Sequence, residues 1–201
     1  MERIGLFGGT FNPVHIGHIA CAKSLVEKNI VDRIIFIPSK IPPLKKIENT
    51  ILAETRLQMV EAAISQYPNF SISDVELKRE GVSYTIDTVR SFIEYFDSDK
   101  VKLYLIIGID WVQKFHSWKD YEKLSDLIDF IVMRRNGSLG NINNPYLDVN
   151  IRRKLEKGLV DVPAIPVSST EIKKRIDDVD FVKKSLPEEV YQFIIERRLY
   201  L

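Results

Sequence analysis

The chain has 201 residues, 45% of them hydrophobic, which is enough to bury one substantial core and short for two. Its 29 Lys and Arg against 28 Asp and Glu leave a net charge of +1, so there is no global electrostatic case for nucleic acid or an anionic membrane as a partner, and any anion site must come from local clusters. No apolar run approaches the ~18 residues of a membrane span, Met1-Glu2-Arg3-Ile4 does not open a signal peptide, and the one cysteine, Cys21, rules out an internal disulfide, so a cytoplasmic protein is expected.

Ile4-Gly5-Leu6-Phe7 before Gly8-Gly9 predicts a buried parallel strand, and Ile34-Ile35-Phe36-Ile37 before Pro38 predicts a second. Leu52, Met59, Val60, Ala63 and Ile64 recur at helical spacing, while Phe70-Ser71-Ile72-Ser73 alternates as a marginal strand. Another helical face, Ile86, Val89, Phe92, Ile93 and Phe96, leads to the strand Leu103-Tyr104-Leu105-Ile106-Ile107 before Gly108. Phe130-Ile131-Val132-Met133 before Arg134-Arg135 closes the main series. Strand alternating with helix predicts an α/β fold with a doubly wound parallel sheet. Residues 136–145, rich in Gly and Asn, read as a loop, 151–158 as a helix and Val162 to Val167 as an extended, Pro-broken piece. Two short helices are expected next, the second with Ser185 as N-cap and Pro187 in its first turn. The whole, 1–201, reads as a single domain whose small helical C-terminal part, about 148–201, forms a lid or shapes the substrate site.

In an open α/β sheet ligands bind at the carboxyl ends of strands, which directs attention to Gly8-Gly9-Thr10-Phe11-Asn12-Pro13-Val14-His15-Ile16-Gly17-His18. Two glycines let the backbone approach a phosphate, and His18 falls near the start of the next helix, so both imidazoles can face one anion. The loop is neither a dinucleotide fingerprint nor a P-loop. Zinc on the His-x-x-His pair would need further ligands, and only His116 and Cys21 remain as nitrogen or sulfur donors of that kind. Farther on, Ser83 or Thr85 can cap a helix whose dipole Asp87 complements, and N–H groups near Tyr84 and Thr85 would welcome an anion. Arg134 or Arg135 could grip phosphate with a two-pronged guanidinium. Ser168-Ser169-Thr170-Glu171 is a helix start able to cap itself or to hold phosphate.

His15-Ile16-Gly17-His18 resembles the signature of the nucleotidyltransferase superfamily, which implies a Rossmann-like fold. The same letters occur in class I aminoacyl-tRNA synthetases, whose far larger bodies do not fit 201 residues. From end to end the chain is similar to the bacterial nicotinate mononucleotide adenylyltransferases, and that resemblance implies a role for each motif. His15, His18 and Lys45 would be catalytic, with Lys40 or Lys46 as substitutes for Lys45 in Lys40-Ile41-Pro42-Pro43-Leu44-Lys45, where Leu44 stands in place of a common histidine. ATP and its phosphates would lie against Gly8, Gly9, Thr10, Phe11, Ser168, Ser169, Thr170, Lys173 and Arg134, which fits the family position better than Arg135 does. Gly108 and Asp110 would bind ribose. Tyr84, Thr85 and Trp118 would hold the nicotinate, with Trp111 as packing or lid material.

The implied reaction joins nicotinate mononucleotide to the AMP part of ATP. Mg2+ arrives with ATP, because no carboxylate cluster beside the motif suggests protein metal ligands. ATP and the mononucleotide are the expected partners, with no nucleic acid and no membrane, and a homo-oligomer is compatible with the sequence. Nicotinamide mononucleotide or phosphopantetheine are alternative acceptors. A non-catalytic nucleotide sensor is the alternative of another class, motivated by Leu44 and by Lys173 where arginine is usual.

Overall fold

The computed structural model describes residues 1–43, 51–135, 142 and 144–200. Strands β1 (Glu2–Gly9), β2 (Arg33–Pro38), β3 (Phe70–Ile72), β4 (Val101–Gly108), β5 (Asp129–Arg135) and β6 (Leu159–Val162) form one sheet in the order β3-β2-β1-β4-β5-β6. All five strand pairs are parallel. This is the doubly wound, Rossmann-like order, and it reverses direction beside β1, where the crossovers leave for opposite faces.

The strands are apolar on both faces because both are covered. Ile34 and Phe36 belong to one buried layer with Leu25 of α1 (Ile16–Glu27) and Met59, Val60 and Ala63 of α2 (Ala53–Ile64). Their neighbours Ile35 and Ile37 point the other way. They share a second layer with Ile86 and Val89 of α4 (Thr85–Tyr95), which follows the short α3 (Val75–Lys78). Leu124 of α5 (Tyr121–Leu127) and Ile151 and Leu155 of α6 (Val149–Lys157) complete that second layer. Between β4 and α5 the chain runs through a 3₁₀ stretch, Ile109–Ser117. Beyond β6, α7 (Ser169–Lys174), α8 (Val179–Ser185) and α9 (Glu188–Glu196) return to the first layer through Ile172, Val182, Val190 and Ile194.

Three details differ from expectation. The C-terminal part adds a strand to the main sheet: Leu159 to Val162 pairs in register with Val132 to Arg135, a run too short to announce itself by periodicity. Ser185 is buried at the end of α8, and Pro187 occupies the cap position of α9 with extended backbone. Leu52 precedes α2 and is 73% exposed, so the buried stripe of that helix begins with another residue.

That residue is Arg56, which is fully buried. Its Nε donates to the Ile51 carbonyl (3.1 Å), Nη1 to the Thr10 carbonyl (2.6 Å), and Nη2 to the carbonyls of Ser39 (2.6 Å) and Lys40 (3.4 Å). One guanidinium therefore ties the segments leaving β1 and β2 to α2, and only a planar five-donor fork can do so. Removing it strands several buried carbonyls. Arg56→Met is expected to cost roughly 3 kcal/mol, or about 10 °C in Tm for a domain of this size, and Arg56→Lys to recover little of it, as chemical and thermal unfolding would measure.

Candidate active site

A cleft of about 1010 Å³ opens at the carboxyl ends of β1 and β4, the position where the strand order reverses. Its floor is glycine. A Cβ on Gly8 or Gly108 would meet no atom within 4 Å, so both strand ends leave open space toward the cleft. Gly9 serves a different need: a Cβ there would lie 2.8 Å from Cζ of Phe11. Phe11 has a left-handed backbone (φ 47°), an uncommon state for a bulky residue, and packing holds it there. Its buried ring stands edge-on to Phe7 at 5.7 Å and to His18 at 5.1 Å.

His15 is the N-cap of α1 and His18 lies in its first turn, so three residues of sequence become a ring-to-ring distance of 3.7 Å. The backbone N–H of His15 donates to Nδ1 of His18 (3.3 Å), which leaves the proton of a neutral His18 ring on Nε2. His15 is 5% exposed, and burial, with the charge of Arg135 added, pushes its imidazole down from 6.5 to about 4. At neutral pH it is an uncharged hydrogen-bonding group. Gly17 gives the pair its space: a Cβ there would sit 3.0 Å from Nδ1 of His15 and crowd the ring.

On one side of this pair the cleft is walled by Tyr84, Thr85, Trp111 and Trp118, with Asp110 at the mouth. The tryptophan rings meet edge to face at 5.8 Å and 69°, so Trp111 belongs to the wall that was expected of Trp118 alone. Ser83 does not cap α4. Its hydroxyl accepts from the N–H groups of Lys40 (3.0 Å) and Ile41 (3.3 Å), fastening the segment after β2 to the helix start, while Tyr84 takes the cap position. The Tyr84 N–H is itself engaged by the Val82 carbonyl (3.0 Å). Beneath this wall, buried Glu76 accepts from the Thr88 hydroxyl (2.7 Å), which in turn accepts from Arg79 (2.9 Å). Burial raises the Glu76 carboxyl above its usual range, offset in part by its hydrogen bonds to Thr88 and Ser83.

The opposite side is closed by Ser169, Thr170 and Lys173. The Ser169 hydroxyl donates to the Pro13 carbonyl (2.8 Å), joining the C-terminal motif to the first loop across 156 residues. Tyr200 does the same, its hydroxyl donating to Oδ1 of the buried Asn12 (2.7 Å). Ser168 does not line the cleft, and its hydroxyl caps α7 by accepting from the Glu171 N–H (3.1 Å).

The arginine expectation is corrected. Arg134 turns away and grips Asp161 of the neighbouring strand through two bonds of 2.7 and 3.1 Å, while Arg135 lines the cleft. Strand alternation forbids both from facing the same way. Lys45, Leu44 and Lys46 lie outside the described residues. Lys119, which sequence reading passed over, lines the cleft beside Trp118, and Cys21, Ser39 and Asn12 line it as well. Among the described residues no group of three or more His, Cys, Asp or Glu could hold a metal, and no helix is long and apolar enough to cross a membrane.

A parallel sheet in this order, with a histidine pair and a glycine floor at its switch point, defines an α/β nucleotide-binding protein. A family model described as cytidylyltransferase-like matches residues 6–175. A probable nicotinate-nucleotide adenylyltransferase of Moorella thermoacetica is 38% identical over 201 residues, covering 98% of this chain and 91% of that protein. One from Clostridium tetani is 36% identical over 201 residues, covering 100% of both. The chain belongs to the cytidylyltransferase-like family, among its nicotinate-nucleotide adenylyltransferases. In fold it is similar to the Plasmodium falciparum nicotinic acid mononucleotide adenylyltransferase complexed with NaAD, with a TM-score of 0.78 at 21% identity, covering 100% of this chain and 98% of that one.

The buried His15 links the site to stability. Because its folded value of about 4 lies below the ordinary 6.5, the unfolded chain binds this proton more readily between those values. Stability is therefore expected to fall as pH falls through that window, by up to roughly 3 kcal/mol from this group. Glu76, shifted upward, contributes with the opposite sign. Unfolding of the ligand-free protein against pH, compared with His15→Asn, isolates the histidine: the variant is expected to show the shallower acid loss.

Proposed function

We propose that the chain transfers the adenylyl group of MgATP to nicotinate mononucleotide, giving nicotinate adenine dinucleotide and pyrophosphate, in NAD biosynthesis. The observation that carries this reading is the meeting, in one cleft, of an aromatic wall, a histidine pair and a hydroxyl-bearing helix start on either side of two open glycines. A 5′-phosphate oxygen of the mononucleotide attacks the α-phosphorus of ATP, a new P–O bond forms, and the bond to the β-phosphate oxygen breaks, releasing pyrophosphate. An ionised phosphate needs no general base and the route needs no protein nucleophile. The protein's task is alignment of two anions and stabilisation of the charge that develops between them.

In this reading His18, with its proton on Nε2, and neutral His15 donate to phosphate oxygens. Arg135 replaces Arg134 as the guanidinium that meets phosphate, and Thr170 and Lys173 receive the leaving end of ATP. Gly108 and Asp110 take ribose, the first for close approach and the second as acceptor. Tyr84, Thr85 and Trp118, joined by Trp111, hold the pyridine. Lys45 remains assigned to the triphosphate by resemblance. Mg2+ enters as part of the substrate on the ATP phosphates, and the proposed ATP-dependent reaction belongs in the cytoplasm. The chain acts in this reading as one nucleotidyltransferase unit.

Pyrophosphate release from ATP and nicotinate mononucleotide, against blanks lacking either, tests the activity and separates it from nucleotide sensing without catalysis. His18→Ala is expected to lower kcat by about 10²–10³-fold with the KM for ATP within a few-fold, the pattern of a contact made chiefly in the transition state. Arg135→Ala is expected to raise the KM for ATP about tenfold or more, as loss of a charge-assisted bond does, whereas Arg134→Ala, which frees only Asp161, should change it less than about twofold.

A further inference from the structure

The positive end of α4 favours an anion, yet the same first turn carries Asp87, whose charge opposes any carboxylate approaching Tyr84 and Thr85. Lys119 lies where it can reverse that opposition. It follows Trp118 directly and lines the cleft with Tyr84, Thr85 and Trp118. Its Nζ sits 3.3 Å from Oδ2 of Asp87 and 4.4 Å from the centroid of the Tyr84 ring. Arg90, one turn into α4, approaches the other oxygen of Asp87 at 3.9 Å. Two cations thus share one carboxylate, so the charge of Asp87 is offset on both of its oxygens.

Building on the adenylyl-transfer reading above, we propose that the Lys119 side chain is a specificity-determining residue, whose ammonium draws the carboxylate of nicotinate mononucleotide toward Tyr84 and Thr85 and so favours it over the amide. Acid and amide have nearly the same shape, so Trp118 and the ring walls cannot separate them by packing, whereas a full charge difference can be read electrostatically. Asp87 and the Tyr84 ring hold the ammonium in place, the ring through its negative face. Lys119 is 44% exposed in its side chain, so water and salt damp the field and the discrimination it supplies is moderate and falls with ionic strength.

The test is kcat/KM for nicotinate mononucleotide and for nicotinamide mononucleotide, at saturating ATP, in the wild type and in Lys119→Met, Lys119→Glu and Lys119→Arg, with thermal unfolding of each. The acid-to-amide ratio is expected to fall about tenfold in Lys119→Met and further in Lys119→Glu, and to stay within about twofold in Lys119→Arg. The amide substrate itself should change less than about threefold, and the wild-type ratio should decline as salt is added. Equal losses for both substrates would make Lys119 a brace of the fold and overturn the proposal, as would an unchanged ratio in Lys119→Met and Lys119→Glu. Wild-type turnover of nicotinate mononucleotide with an unchanged ratio across variants overturns this assignment alone; no wild-type turnover overturns the adenylyl-transfer reading with it.

Discussion

The guanidinium of Arg56 is the interaction on which the cleft depends. A parallel sheet delivers its ligand-binding segments as loops, and loops at the ends of buried strands carry carbonyl groups with no ladder partner. Here those of Thr10, Ser39 and Lys40 converge on one fully buried side chain of α2. A buried cation is tolerable only when its hydrogen bonds are made, and unpaired carbonyls are tolerable only when a donor reaches them. The two requirements are met by the same contacts, which fixes the start of the His-x-x-His loop relative to the segment after β2.

Other ties extend the same constraint outward. Ser83 fastens the segment after β2 to the start of α4, Ser169 joins α7 to Pro13, and Tyr200 reaches Asn12 from the far end of the chain. Each is a single hydrogen bond of modest net worth. Together they hold five stretches of chain, distant in sequence, around one space. The tight packing of Phe11 over Gly9 and of His15 against Gly17 works alongside them, because a side chain on Gly9 would collide with the Phe11 ring and one on Gly17 would crowd His15. A site built from such fixed donors suits chemistry in which alignment and preorganised charge, with no reactive side chain, supply the rate.

Electrostatics inside the cleft is arranged by depth. His15 is buried deeply enough to stay neutral at neutral pH, so its imidazole acts there as an uncharged hydrogen-bonding group. The charged groups, Arg135, Lys173 and Lys119, lie nearer solvent, where desolvation is slight and an incoming anion can meet them without either being stranded. Acidic groups are not absent, and their neighbours decide their effect: Asp161 holds Arg134 outside the cleft, and Asp87 anchors Lys119 at its wall.

Much of this was legible in the residues themselves. Apolar runs closed by glycine or proline located β1, β2 and β4, and one closed by two arginines located β5, because strands covered on both faces must be apolar throughout. The glycine pair and the histidine spacing pointed to the cleft these residues line, because strand ends and helix starts are where backbone N–H groups are unpaired. Motif resemblance carried the assignment from phosphate chemistry to the pyridine nucleotide. Tertiary structure decided what short runs and single side chains do. β6 exists because β5 offers an edge to Leu159–Val162, a partner no local pattern specifies. No local pattern marks Arg56, and only the crowding of carbonyls around it makes it a core residue. The choice between Arg134 and Arg135 turned on which face of β5 looks into the cleft, and Ser185 ended one helix instead of starting another. Sequence fixes periodicity and chemistry along the chain, whereas the direction a side chain takes and the partner it finds depend on residues far away in the sequence.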